Sequence, residues 1–172
     1  MSNVATKDGG VAFQRLDGAL PFFPPAPADK ILKWQPILEE LNQYTLKVSG
    51  LKEGQYEILV DGRKIAEHSA SQLADGVNLA AGALAGGPIA EHVKAVWTAV
   101  AAKNSFFHDK IFRGITLSNS NVPDWLEIPQ AEVDARRKAA FESRMAKMPE
   151  LDAAVRKALE MKPHQFEVVP KK

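Results

Sequence analysis

The most constraining feature of this 172-residue sequence is a regular alternation of apolar and polar residues, repeated over three consecutive runs. Such alternation places every second side chain on one face, as in a half-buried β-strand. The runs are Tyr44–Ser49, Gln55–Val60 and Arg63–His68. The dipeptide Asp61-Gly62 between the last two runs suits a tight hairpin turn, because both residue types tolerate positive φ. The pattern predicts a three-stranded antiparallel meander.

Helix signals follow the meander. Ser69 and Gln72 have the spacing of a capping box, which predicts a short helix that ends at Gly76. Pro88 suits the first turn of a longer helix that runs to about Asn104. The apolar stripe of this longer helix is formed by Ile89, Val93, Val96, Trp97 and Val100.

The C-terminal half is predicted to be mostly helical. Residues 105–128 read as irregular and aromatic-rich, with Ile111–Leu117 as a strand or an extended loop. Beyond them, two helices are expected on either side of Pro149, which interrupts the helical pattern. The expected fold class is therefore α+β, with a three-stranded antiparallel meander followed by a mostly helical C-terminal half.

Proline content sets the N-terminal region apart. Four of the seven residues from Pro21 to Pro27 are proline, which favours extended chain and excludes helix. We predict three regions: an extended N-terminal arm with this Pro-rich segment (1–30), an α+β core with the meander (31–128) and a C-terminal helical extension (129–172). Smaller expected features are extended stretches at Val11–Leu16 and Gln165–Val169, and a short helix over Ile31–Leu41 with Ile37 and Leu38 facing inward.

The composition of the chain limits the kinds of partner and chemistry that we expect for it. Lys and Arg number 22 against 21 Asp and Glu, a net charge of +1, so no global field attracts nucleic acid or an anionic membrane. No apolar run approaches the roughly 18 residues of a membrane span, and the sequence has no apolar segment typical of a signal peptide at its start. The absence of Cys excludes disulfides and thiolate chemistry. We expect a soluble protein with no nucleic-acid or membrane partner; its compartment stays open.

The stretch Leu41–Ala80 carries a more specific pattern of three blocks. The blocks are Leu41-Asn42-Gln43-Tyr44-Thr45-Leu46-Lys47-Val48-Ser49-Gly50-Leu51, Gly54-Gln55-Tyr56-Glu57-Ile58-Leu59-Val60-Asp61-Gly62 and Ser69-Ala70-Ser71-Gln72-Leu73-Ala74-Asp75-Gly76-Val77-Asn78-Leu79-Ala80. Their order resembles the segment after the catalytic core in a planctomycete-type branch of bacterial SGNH (GDSL-like) hydrolases. The upstream stretch Leu16–Phe22 resembles the family's linker into this segment. The resemblance covers about residues 11–104.

The resemblance implies kinship with serine ester hydrolases. In that family the nucleophile lies in a Gly-Asp-Ser block, the oxyanion-hole Gly and Asn lie in later blocks, and the catalytic Asp and His lie in a D-x-x-H block. All of these precede the segment matched here. The sequence contains no Gly-Asp-Ser, no G-x-S-x-G and no D-x-x-H, so no family catalytic residue is carried over.

The main hypothesis is therefore a C-terminal accessory segment that packs on a catalytic half and shapes the substrate cleft. We expect it to associate with that missing half or with itself as a homo-oligomer, and we expect no cofactor. An adhesin-like or carbohydrate-binding module that uses Trp34, Trp97 and Trp125 is a further hypothesis, although Trp97 is assigned to the core.

A different class of function centres on His108 and Asp109, with Ser105 nearby. A histidine beside a carboxylate can act as a general base or supply metal ligands. These residues define an alternative hypothesis, a free-standing small hydrolase acting on esters or lactones. A divalent metal is expected only under this alternative. His68 with Ser69 and Asp75 is a weaker arrangement, because the helix cap already explains Ser69.

Overall fold

The computed structural model describes residues 1–22, 28–36, 40–118 and 121–171. It divides into two compact units: a first unit of Met1–Lys94 with Met161–Lys172, and a second unit of Ala95–Glu160. The predicted regions, divided after residues 30 and 128, differ from these units. The physical reason is that the C-terminal residues pair with strands of the first unit, which no local signal indicates.

The elements mix helices with an antiparallel sheet, as the sequence predicts. The strands are β1 (Ser2–Lys7), β2 (Gly10–Arg15), β3 (Thr45–Leu46), β4 (Gln55–Val60), β5 (Arg63–Ser69), β6 (Val77–Asn78) and β7 (His164–Pro170). The α-helices are α1 (Ala70–Asp75), α2 (Ala80–Ala85), α3 (Pro88–Phe106), α4 (Gln130–Met145) and α5 (Met148–Ala158). A π-type helix spans Phe107–Thr116, and short 3-10 helices span Ala28–Lys33 and Asp124–Leu126.

The main sheet has five antiparallel strands in the order β1-β2-β7-β4-β5. The last strand of the chain, β7, therefore lies at the centre. Phe166 on β7 is paired with Phe13 on β2 and with Val60 on β4, so three side chains share one face. The three side chains are buried, and the rings of Phe13 and Phe166 stack at 5.4 Å between centroids.

The three-stranded meander predicted over residues 44–68 is not confirmed. The hairpin of β4 and β5 is present, with Val60 opposite Arg63 across the Asp61-Gly62 turn. The first predicted strand is shortened to β3, which pairs with β6 in a separate two-stranded sheet. Alternation fixes which face of a strand is buried and leaves its partner unspecified, whereas the two-residue turn fixes the partner.

The N-terminal arm contains a second hairpin, formed by β1 and β2. Asp8 and Gly9 have φ values of 50° and 80°, like Asp61 and Gly62 at 48° and 78°. The same dipeptide thus makes both hairpin turns, and Asp8-Gly9 was a usable signal for β1. On Gly10, a Cβ would lie only 1.9 Å from the Val168 carbonyl oxygen, so the close approach of β2 to β7 requires glycine.

Several predictions for the N-terminal region lie outside the described residues. Most of the Pro-rich segment (23–27) and the inward-facing Ile37 and Leu38 are among them. In the neighbouring described part, a 3-10 helix over Ala28–Lys33 takes the place of the first turns of the predicted helix.

The helical half follows the prediction at most of its boundaries. Helix α3 begins at Pro88 and ends at Phe106, and Pro149 lies in the first turn of α5. Trp97, assigned to the core from its place in the apolar stripe, is about half exposed. The expected strand or extended loop at Ile111–Leu117 is wrong, because Phe107–Thr116 is helical. Ile111 and Ile115 are four residues apart and both buried, which fits a helical turn.

Asp61 ties the β4–β5 turn to the start of β7. Its Oδ1 accepts a hydrogen bond from the Gln165 backbone N–H at 2.8 Å, and its Oδ2 lies 2.7 Å from His164 Nδ1. Its own backbone N–H donates to the Gln165 carbonyl at 2.8 Å. Partial burial acts to raise the pKa of Asp61, but the hydrogen bonds from His164 and Gln165 outweigh it and leave the pKa below its ordinary value.

Acid is therefore expected to weaken the fold through Asp61. A lowered pKa means that the unfolded chain binds a proton more readily than the folded one, so the stabilisation is complete above the ordinary value of 3.8 and is lost as the pH falls below it. In urea titrations between about pH 5 and pH 3, Asp61→Asn should show a shallower pH dependence of the free energy of unfolding than the wild type. Parallel curves for the two proteins would contradict this.

Candidate functional site

His108 and Asp109, the pair predicted as a possible site, lie in the π-type helix of the second unit. His108 Nδ1 is 3.0 Å from Asp109 Oδ1, and both side chains are more than half exposed. A carboxylate placed in this way can orient an imidazole as a general base. Ser105 lies on the exposed surface of α3, and among the described residues no side-chain hydrogen bond joins it to the pair.

Helix α4 holds the π-type helix in place through two arginines. Arg137 donates to the Ile115 carbonyl and Arg144 donates to the Lys110 carbonyl. Gly114 fits closely here, because a Cβ on it would lie 2.9 Å from the Asp109 carbonyl oxygen. The backbone that carries His108 and Asp109 is therefore fixed by contacts within the second unit. Within the described residues, no cluster of three His, Asp or Glu side chains has a metal-binding arrangement.

Two asparagines of the resemblance blocks, Asn42 and Asn78, form a backbone clamp in the first unit. Buried Asn42 accepts a hydrogen bond from the Phe22 N–H at 2.6 Å and donates to the Phe22 carbonyl at 2.7 Å. Asn78 donates to the Asn42 carbonyl at 2.6 Å and accepts from the N–H groups of Tyr44 and Ala80. Both side chains are used to satisfy backbone groups, so the clamp is a structural feature of the blocks.

A charged cluster stands beside this clamp. Asp17 accepts hydrogen bonds from Arg15 Nε at 2.5 Å and from the Tyr44 hydroxyl at 2.6 Å, and the Arg15 guanidinium lies 4.0 Å from the centre of the Tyr44 ring. Burial, followed by the hydrogen bond to Asp17, raises the pKa of Tyr44 well above its usual value. The phenol therefore stays protonated and is unsuited to act as a base. No local sequence pattern indicates this cluster, because Tyr44 is 27 or more residues from Arg15 and Asp17.

A cleft of about 570 Å³ lies at the edge of the first unit. Its polar lining includes Ser69 and Ser71, whose hydroxyls are 2.9 Å apart. The predicted capping box is confirmed: the Gln72 N–H donates to Ser69 Oγ at 3.2 Å, and Gln72 Oε1 accepts from the Ser69 N–H at 2.8 Å. The Ser69 hydroxyl is thus occupied as a helix cap.

The second unit exposes most of its large apolar side chains. Among its described residues, only Ile111 and Ile115 are fully buried apolar side chains. The exposed ones are Trp97, Phe107, Phe112, Leu117, Trp125, Leu126, Ile128, Phe141, Met145 and Leu159. Exposed apolar side chains that lie together can form a contact surface for another molecule or domain. This surface is the strongest candidate functional site in the described part of the chain.

The fold of this chain resembles that of an enzyme of known structure, whereas its sequence matches no family model. No family model matches the chain, and no curated protein matches it. A solved structure of a gut microbial diltiazem-metabolizing enzyme matches with a TM-score of 0.69 and 21% sequence identity. The match covers 99% of this chain and 45% of that chain. At this identity the likeness shows a shared fold, and this chain spans less than half the length of the enzyme.

No helix in the described residues has both the length and the apolar character needed to cross a membrane. The finding agrees with the absence of a long apolar run in the sequence.

Proposed function

We propose that this chain is the accessory part of an SGNH-type ester hydrolase, in which a separate catalytic part carries the nucleophilic serine of a Gly-Asp-Ser block. The observation that carries the proposal is the coverage of the structural match. Nearly the whole chain matches under half of an enzyme that metabolizes a drug. More than half of that enzyme's chain therefore lies outside the region that matches this chain.

Two features of this chain support the proposal. The first and third of the blocks that resemble the hydrolase segment are joined by the Asn42–Asn78 clamp, which gives these two asparagines a shared structural role. The second unit exposes apolar side chains that a packed neighbour would cover. The role of the accessory part is to pack on the catalytic part and to form one side of the substrate cleft.

The first test is the coding sequence around this chain. We expect the same reading frame or a neighbouring gene to encode a Gly-Asp-Ser block and a D-x-x-H block. Expressed together, the catalytic part and this chain should hydrolyse p-nitrophenyl acetate, and replacing the serine of that block with alanine should remove activity by several orders of magnitude. The proposal fails if no such blocks are encoded there.

The alternative of a free-standing hydrolase depends on the hydrogen bond between His108 and Asp109. Loss of a general base typically lowers a rate about 10²- to 10⁴-fold. Under the main proposal, the chain alone should hydrolyse p-nitrophenyl acetate or a simple lactone no faster than buffer, and His108→Ala should behave identically. Hydrolysis by the wild-type chain that His108→Ala reduces at least about 100-fold would favour the alternative.

A further inference from the structure

The loop between Pro123 and Pro129 carries Trp125, the most exposed large apolar side chain among the described residues of the second unit. Trp125 is 79% exposed, and Leu126 and Ile128 are exposed as well. Large apolar and aromatic side chains with this exposure are the type that anchor protein interfaces.

The backbone of this loop is well defined by hydrogen bonds. The Leu126 N–H donates to the Pro123 carbonyl at 3.0 Å, and the Glu127 N–H donates to the Asp124 carbonyl at 3.2 Å, which closes a 3-10 turn. The Pro129 carbonyl then accepts from an N–H in the first turn of α4. An exposed tryptophan on an already ordered turn loses little conformational entropy when it is bound.

The charges around Trp125 indicate which kind of partner could bind this loop. Asp124 and Glu127, both exposed, flank it in the turn. An anionic membrane would repel these carboxylates. In a two-fold pairing of the loop with a second copy, each carboxylate would face the same acidic loop, and like charges in contact are costly. The surface complementary to this loop is an apolar pocket bordered by Lys or Arg.

We infer that Trp125, Leu126 and Ile128 form the anchor by which this chain docks into such a pocket on the catalytic part. The inference rests on the proposed function. The coverage of the structural match supports this choice of occupant, because more than half of the matched enzyme's chain lies outside the region shared with this one. The proposed function expects a neighbour to cover the exposed apolar side chains of the second unit. The anchor specifies which of these side chains insert into that neighbour.

The test measures binding of the chain to the separately expressed catalytic part, the polypeptide with the Gly-Asp-Ser block, by isothermal titration calorimetry. Trp125→Ser should raise the Kd at least about tenfold, as is typical for the loss of an anchor residue. Trp34→Ser is the matched control, because Trp34 is 87% exposed and belongs to the first unit. This control should bind within about twofold of the wild type. Circular dichroism establishes that each variant is folded.

The outcomes separate the anchor from the proposed function. If wild-type chain binds the catalytic part and Trp125→Ser binds equally well, the anchor is overturned and the proposed function stands. If the folded wild-type chain does not bind at all, both fail. A dimer of the chain in sedimentation equilibrium that Trp125→Ser converts to a monomer would assign the loop to a second copy. Binding to phosphatidylserine vesicles that Trp125→Ser abolishes would assign it to a membrane. Either result overturns the inference.

Discussion

Replacing Phe166 with alanine is expected to lower the free energy of unfolding by about 3–5 kcal/mol. Phe166 is completely buried on the central strand, stacked on Phe13 and tilted against Tyr44 at 6.4 Å. Its removal leaves a cavity where β2, β4 and β7 meet. Since a domain of ordinary stability unfolds at a cost of about 5–15 kcal/mol, the variant should be marginally folded.

Urea denaturation followed by circular dichroism measures this effect. Phe141→Ala is the matched control, because it makes the same chemical change at a position on α4 that is 41% exposed. The control should lose no more than about 1 kcal/mol. Equal losses in the two variants would contradict the central position of β7 in the sheet.

Asn42→Ala should cost about 2–3 kcal/mol, the range expected when buried backbone groups lose their partners. The substitution removes the acceptor of the Phe22 N–H and the donor to the Phe22 carbonyl, and Asn42 is only 6% exposed. The segment before β3 would then lose its attachment to the linker at Phe22. The free energy of unfolding from urea titration checks the magnitude.

Asn104→Ala, on the exposed end of α3, is the control for Asn42→Ala. Alanine favours helix more than asparagine does, so this control should change stability by less than about 0.5 kcal/mol. If Asn42→Ala matched this small change, the Asn42–Asn78 clamp would contribute little to the stability of the fold.

Local chemistry accounts for the parts of the fold that the sequence predicted. The Asp61-Gly62 turn, the Ser69 cap and the start of α3 at Pro88 each depend on residues a few positions apart. Such features are determined by φ preferences and by side chains that reach nearby backbone groups. The same reasoning applied to Asp8-Gly9 would have predicted the N-terminal hairpin.

The parts of the fold that the sequence did not predict depend on pairing between residues far apart in the chain. Nothing local indicates that β7 inserts between β2 and β4, because alternation sets only the buried face of a strand. The exposure of Trp97 was missed for a related reason: an apolar stripe shows that a helix has a face to bury, and it does not show that the described chain buries it.

For the candidate sites too, the sequence indicated some residues, whereas their long-range contacts were seen only in the structure. The sequence identified His108 and Asp109, and their hydrogen bond is present, while their chemical role stays a prediction. It also indicated Asn42 and Asn78 through the resemblance, without showing that they clamp the backbone around Phe22 and Tyr44. Contacts between residues 20 or more positions apart require coordinates, because a single sequence holds no direct record of them.

The central place of the last strand also bears on synthesis by the ribosome. The hairpins β1–β2 and β4–β5 are complete long before residues 164–170 leave the exit tunnel, yet each hairpin pairs with the other only through β7. The two hairpins therefore keep unpaired edges until β7 has been synthesised. A ribosome that stalls between β5 and β7 would leave two aggregation-prone strand edges exposed.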